Sequence, residues 1–286
     1  MSIIVNRPAV VIGAMFVVLV LGAAGPAEAQ RDFEPLFDKF NFKLAGSWVG
    51  LNTEIRLDSE VLGRGTTLSF EDDLGLGSNE TIPTLAFEWQ IARKHKVGVR
   101  WQDITRDSNA QALTEIQWGG EIIPIDAAIT LGFDITQLFI DYAYYPWVKD
   151  RWAAGFGLGF RTMDIQATLA WLAEGEDVVE GSSDVKGTAP LPYLYFEYRR
   201  LFSDNWRFTT GLGWLYIKID DIEGGQWIGR VGIEYLAGKR WGFGAAINIA
   251  QASVDWTAIA VEEGDLLNAA IELDINDISV FVRVRF

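Results

Sequence analysis

The feature that most constrains this chain is a period-two alternation of apolar with small or polar residues, recurring from about residue 42 to the last one. Between Trp206 and Tyr216, one face carries Trp206, Phe208, Thr210, Leu212, Trp214 and Tyr216. The other carries Arg207, Thr209, Gly211 and Gly213. Trp227, Gly229, Val231, Ile233 and Tyr235 oppose Ile228, Arg230, Gly232 and Glu234 in the same way. Trp152, Ala154, Phe156, Leu158 and Phe160 oppose Gly155, Gly157, Gly159 and Arg161. The chain ends with Ile278, Val280, Val282, Val284 and Phe286 against Arg283 and Arg285. Such alternation is the signature of β-strands. With the apolar side out, it is the pattern of strands that close into a barrel in lipid, where every backbone polar group must pair internally.

Spacing tests the lipid reading. Trp152/Phe160, Trp206/Trp214 and Trp227/Tyr235 are aromatic pairs eight residues apart on outer faces. Eight steps of ~3.3 Å, tilted ~40°, cover about 20 Å of the membrane normal, close to the apolar band between two aromatic girdles. A soluble β-sandwich also alternates, but has no reason to repeat this spacing. Hydrophobic content is 49% with 12 Trp and 29 Gly, and after the first residues no apolar run reaches the ~18 a helical span needs. The net charge of −15 argues against nucleic acid as a partner, since that affinity comes from Lys and Arg on phosphates.

The first 29 residues read as a cleaved signal peptide. Arg7 is the positive start, Ala9 to Leu21 the apolar run and Ala27-Glu28-Ala29 the cleavage site. A short membrane anchor is the weaker reading, because about 20 apolar residues are needed to span. Residues 30–41 then form a periplasmic segment, and residues 42–286 the barrel. Phe33, Leu36, Phe37 and Phe40 have helical spacing, so this segment is expected to form a turn or two of helix that caps the periplasmic mouth, or else a frayed tail. Absence of cysteine removes disulfides and thiol chemistry.

The expected fold is all-β, a transmembrane antiparallel up-and-down barrel of ten strands, with twelve as the alternative count. The strands are placed at 42–58, 80–92, 96–106, 126–145, 151–171, 189–201, 205–220, 226–238, 241–256 and 268–286. Short turns at 92–96, 146–150, 203–205 and 238–240 are assigned to the periplasm. Longer acidic stretches at 58–80, 103–123, 172–188, 220–226 and 257–267 are assigned to the outside. Thr66 to Glu71 and Leu113 to Trp118 read as hairpin extensions within those loops. The apolar face changes sides near Gly50, Thr136-Gln137, Thr162, Ile217 and Asn276-Asp277, and a β-bulge at each is the expected cause.

The inward face carries the candidate functional residues. The lumen is expected to be lined by Glu88, Arg100, Asp141, Arg161, Glu197, Arg199, Arg207, Arg230, Glu234, Arg283 and Arg285. Inward glycines at 155, 157, 159, 211, 213, 242 and 244 leave room for long side chains to lie flat. Mixed charge fits a polar pore for ions or small polar solutes. It fits better a paired-ion filling, because a barrel of about eight strands is already filled by side chains.

Catalysis has little support. The single histidine, His95, falls in a periplasmic turn between Lys94 and Lys96, without a nucleophile beside it. No catalytic residue, cofactor or metal site is assigned. The acidic stretches Glu71-Asp72-Asp73 and Glu174, Glu176, Asp177, Glu180 match no EF-hand and read as solvated loops. Gly155-Phe-Gly-Leu-Gly159 lies within a strand and is no nucleotide loop.

Asn52-Thr-Glu-Ile-Arg-Leu-Asp58, Gly65, Glu71-Asp-Asp-Leu-Gly-Leu76, Lys94-His-Lys-Val97, Ile116-Gln-Trp-Gly119 and Ala189-Pro-Leu-Pro192 resemble an uncharacterised proteobacterial outer-membrane β-barrel family. The resemblance implies no activity or ligand. Val280-Phe-Val-Arg-Val-Arg-Phe286 is similar to the terminal signal of outer-membrane proteins, which implies that Phe286 engages the barrel-assembly machinery of a Gram-negative cell. Outer-membrane lipid and lipopolysaccharide are then the surroundings. The sequence leaves a narrow channel and a structural barrel both open. Behind them stand an adhesion or interaction protein acting through acidic external loops and, last, a membrane-embedded hydrolase.

Overall fold

The computed structural model of the chain describes residues 35–59, 63–118, 121–173, 178–219, 222–260 and 266–286. The expected signal peptide, Phe33, Gly119 and the acidic residues Glu174, Glu176 and Asp177 lie outside them.

Ten long antiparallel strands form a closed ring. In chain order they are β1 (Phe40–Ser59), β3 (Asn79–Ala92), β4 (His95–Gln111), β7 (Ala128–Val148), β8 (Trp152–Ala173), β9 (Val179–Leu201), β10 (Trp206–Ile219), β11 (Ile222–Ala237), β12 (Trp241–Ala260) and β13 (Leu266–Arg285). Neighbours in sequence are neighbours in the sheet, and β13 pairs with β1 from Arg285↔Asn41 to Leu267↔Ser59. Three short strands decorate the long-loop end. β2 (Thr67–Ser69) adds to β1, and β5 (Ile116–Trp118) pairs with β6 (Glu121–Ile123) as a separate hairpin. These are the two hairpin extensions, and the ring itself counts ten.

Several connections are shorter than their sequence suggests. β4 continues to Gln111, β9 begins at Val179, and β10 and β11 are joined by residues 220–221 alone. The stretches 103–111, 179–188 and 222–226 are therefore strand where loops are expected. Their outward side chains are polar, which masks the apolar-out pattern used to recognise a strand in lipid.

The bulges expected at the changes of face are also absent. Pairing runs without a register shift through Gly50↔Asn276, Gln137↔Met163 and Leu138↔Thr162. Register shifts occur instead at Gln90/Ala92, Tyr144/Trp147 and Trp256/Ile259. Odd-numbered residues of β1 face inward along its whole length. What changes is chemistry. Below Val49 the inward residues are Asn41, Lys43, Ala45 and Ser47, and the outward ones include Leu44 and Trp48. From Val49 upward the inward residues include Leu51, Ile55 and Leu57, while Asn52, Glu54, Arg56 and Asp58 face out. β13 changes at Asn276-Asp277, β7 at Thr136-Gln137 and β8 at Thr162, all in continuous phase.

The barrel is thus two stacked halves of opposite polarity. The half at the short-turn end has an apolar outside that includes Leu158, Leu212, Ile247 and Val280, all more than half exposed. Its strands there run roughly 10 residues, the length a tilted transmembrane strand requires. The half at the long-loop end has polar walls and a dry interior of Val49, Leu57, Ile104, Leu131, Phe133, Leu169, Trp171 and Ile271. Trp118, Phe70 and Leu74 from the loops close that core at the top. It is the burial pattern of a water-soluble barrel, carried on the same strands.

Short turns face the periplasm in barrels of this kind. With no native cysteine, single-cysteine variants test the orientation. Leu113→Cys, 80% exposed between β4 and β5, should react with an impermeant thiol label on intact cells. Ser203→Cys, between β9 and β10, should not. The opposite pattern would invert the assignment.

Candidate functional site: the charged lumen

The eleven lumen candidates all sit on inward-phase positions of their strands. They divide into tiers, because an inward residue recurs every second position and each strand contributes at matched heights.

The lowest tier is organised by a residue the strand pattern could not supply. Asp38, in the segment before β1, is buried and accepts from Arg207 at 3.0 Å and Arg285 at 2.6 Å, with Arg283 at 3.5 Å. Arg207 also pairs with Glu234 at 3.0 Å and donates to the carbonyls of Pro35 and Leu36 at 3.3 and 3.2 Å. Arg283 Nε donates to Glu234 at 2.5 Å. Leu36 and Phe37 are buried, and Phe37 meets the Tyr145 ring edge-on at 4.9 Å. The segment therefore occupies the mouth of the barrel at the short-turn end, as a turn and extended chain rather than the expected helix. Three arginines around one carboxylate, plus two backbone acceptors, fix it there.

The second tier centres on Glu197, which is 2% exposed. It accepts from Lys96, Arg199 and Tyr195, and from Tyr145 at 2.5 Å. Glu88 links this group onward, with Arg199 at 3.1 Å, Lys96 and Arg283 each at 3.8 Å, and Asn41 donating at 3.1 Å. β9 and β13 are not adjacent, so Glu88 carries the connection between Arg199 and Arg283. Lys96–Glu197 and Glu88–Arg199 both cross the barrel interior.

The third tier lies at mid-height. Tyr193 donates to Asp141. Arg100 crosses from β4 to Asn248 on β12 at 3.3 Å, and Asn248 donates to Asp277 at 2.7 Å. Arg161, fully buried, donates to Gln137 at 2.7 Å and reaches Gln226 on β11 at 3.4 Å. Arg100 and Arg161 lie 3.9 and 5.1 Å from the Phe139 ring centre. The Arg230 side chain makes no hydrogen bond or ion pair among the described residues, while its carbonyl accepts from Thr210 at 2.9 Å.

Above these tiers the interior is mostly apolar among the described residues, and Arg106 with Glu71 forms a buried charged pair in it. Arg106 donates to Glu71 at 2.5 Å, to Thr53 at 2.8 Å and to the Gly77 carbonyl at 3.2 Å. Burial draws its guanidinium down from the ordinary arginine value, and Glu71 opposes that. This pins the loop that follows β2 over the outer mouth.

The inward glycines do receive flat side chains, but mostly rings rather than guanidinium groups. A Cβ on Gly159 or Gly213 would overlap Tyr193, and one on Gly155 would overlap Tyr145. Gly242 alone receives a charged group, Glu234. Gly159→Ala is accordingly expected to cost about 1–3 kcal/mol by overpacking. In a Tyr193→Ala background the same change should be nearly neutral. Simple additivity of the two in a double-mutant cycle on unfolding midpoints would refute this packing account.

Catalytic geometry is not assembled at the one histidine. His95 shares a hydrogen bond with Tyr142 at 2.7 Å on the outer face near the short-turn end. Among the described residues, no group of three or more His, Cys, Asp or Glu is placed to hold a metal. The sequence reading missed Asp38, Lys96, Tyr145, Tyr193, Tyr195 and Asp277. A signal for two of them existed. Seven arginines against four carboxylates in the candidate set left an anion deficit that Asp38 and Asp277 help to fill.

No protein-family profile matches the chain, and no curated protein matches it. Solved structures do. The outer membrane protease OmpT from Escherichia coli is similar with a TM-score of 0.58 and 10% identity, covering 86% of this chain and 96% of that one. The CymD monoaromatic hydrocarbon channel gives a TM-score of 0.37 at 10% identity, covering 88% and 90%. Ail, the attachment invasion locus protein of Yersinia pestis, gives 0.28 at 7% identity, covering 84% and 97%. The likeness to OmpT is one of fold, that of an outer-membrane β-barrel.

Proposed function

We propose that this chain is an integral outer-membrane barrel, exported by its signal peptide in a Gram-negative cell, that neither conducts nor catalyses. It serves as a rigid support for the half that stands above the membrane. Its motifs resemble those of an uncharacterised proteobacterial barrel family, which supports the location and implies no activity. The observation that carries the reading is the set of bridges across the lumen: Lys96–Glu197, Glu88–Arg199, Arg100–Asn248 and Arg161–Gln226. An ion entering from the periplasm meets the Asp38 segment, then these bridges, then an apolar core in which an unpaired charge is costly. The interior voids at mid-height and in the outer core measure about 40 and 10 Å³.

Planar-bilayer recording of the purified, folded protein tests this. A silent membrane is expected. Steady nanosiemens conductance would replace the closed barrel with a pore.

A second reading has its own observation. Above the membrane the walls present Glu54, Asp103, Asp107, Glu272 and Asp274 outward. Such a surface suits a basic partner, and the supported half would then be an interaction module. Loss of binding to cells or proteins on Glu272→Lys/Asp274→Lys, with the barrel intact, would favour it.

A further inference from the structure

The middle tier holds more positive charge than it neutralises. Lys43, Arg100, Arg161 and Arg230 have no carboxylate within ion-pair distance among the described residues. Lys43 instead lies over the Phe281 ring at 4.5 Å, Arg100 takes Asn248, and Arg161 takes two glutamines. Asp141 and Asp277 are the carboxylates of this tier, and each accepts from a neutral donor, Tyr193 and Asn248. The Arg230 side chain has no hydrogen-bond or ion-pair partner among the described residues. It projects from β11, across the ring from Arg100 on β4. The two guanidinium groups line one cavity of about 40 Å³, together with Tyr193, Tyr195, Asp141 and the Lys96 and Glu88 of the tier below, which are paired with Glu197 and Arg199.

Guanidinium groups do not deprotonate in proteins. Two half-buried ones facing a shared cavity repel, and leaving such charge uncompensated is unfavourable. A cavity of this size exceeds the roughly 10–15 Å³ that one water occupies, but leaves no room for a large ion. The carboxylates of Asp141 and Glu88 in the wall disfavour a multivalent anion.

We propose that a small monovalent anion of halide type sits in this cavity between Arg100 and Arg230, as a structural ion of the closed lumen. It would supply the negative charge that the chain's own side chains do not.

The deciding measurement is anomalous diffraction from crystals of the full mature protein grown or soaked in sodium bromide. A bromide peak between Arg100 and Arg230 is the expected result. Water or empty density there, or bromide solely at other places, overturns the proposal. In detergent solution, the unfolding midpoint should rise saturably by a few degrees as chloride replaces gluconate at constant ionic strength. That rise should vanish in Arg230→Gln while the variant still folds to the heat-modifiable form. Should Arg230→Gln fail to fold, Arg230→Lys replaces it, with a weakened but not abolished chloride response expected. Equal midpoints in chloride and gluconate for the wild-type protein also overturn the site. Both readouts report occupancy rather than conductance, so their failure leaves the closed-barrel reading standing.

Discussion

Glu197→Gln is expected to lower the barrel's unfolding midpoint sharply without opening a conductance. Glutamine keeps the shape, and its one carbonyl oxygen can still accept from either the Tyr145 or the Tyr195 hydroxyl, which sit on different oxygens of the carboxylate. It removes the anion shared by Lys96 and Arg199, both buried. Breaking one partner out of a buried ion pair costs about 3–5 kcal/mol. Glu88 still faces both cations, at 3.8 and 3.1 Å, so the cost should fall near the lower end, roughly 3 kcal/mol. In a barrel of this size that corresponds to roughly 6–12 °C. A wet lumen predicts well under ~1 kcal/mol, as for exposed pairs. Asp204→Asn, which breaks the exposed pair with Arg151, is the control and should barely move the midpoint. If the two variants melt alike, the tier is solvated and the pore returns.

Asp38→Asn should act on a different property. Its carboxylate is the anchor that Arg207, Arg283 and Arg285 share. Without it the Pro35–Lys39 segment keeps its two carbonyl contacts to Arg207 and the packing of Leu36 and Phe37. Local opening of the segment should then become more frequent by on the order of ten- to a hundred-fold. Cleavage by a protease added to the periplasmic face of the folded protein should accelerate by the same factor, since it tracks the open population. An unchanged cleavage rate would mean that the apolar contacts hold the segment by themselves. Leu36→Ala/Phe37→Ala would then become the sensitive variant.

Much of this architecture was legible in the residues, for a physical reason. Lipid imposes alternation on every strand it touches, so Trp206 to Tyr216 or Ile278 to Phe286 announce both strand and facing direction. The same rule misleads above the membrane. At Gly50 or Thr162 the apolar residues move to the other face, and in lipid only a bulge could do that. Once the outside is water, an unbroken strand does it by exchanging which face is dry. Asp38 was hidden because it precedes the first strand and has no periodicity to place it. The tyrosines were hidden because Tyr193 and Tyr195 share a phase with glycine-filled gaps on β8 and β10. Contact between inward residues of neighbouring strands follows register, which alternation leaves open.

The abrupt exchange of polarity along unbroken strands also fixes how deep the protein sits. Raising it by two residues would lift Trp48 and Phe160 into water. Lowering it by the same amount would carry Asn52, Asp164 and Asp274 into hydrocarbon, where charge is penalised according to depth. Both costs recur around the circumference, so the barrel has one immersion level and a steep restoring force about it. Its walls are paired to themselves and cannot tilt independently to absorb a mismatch. In a bilayer thicker or thinner than the apolar band, the lipid next to the protein must compress or stretch instead.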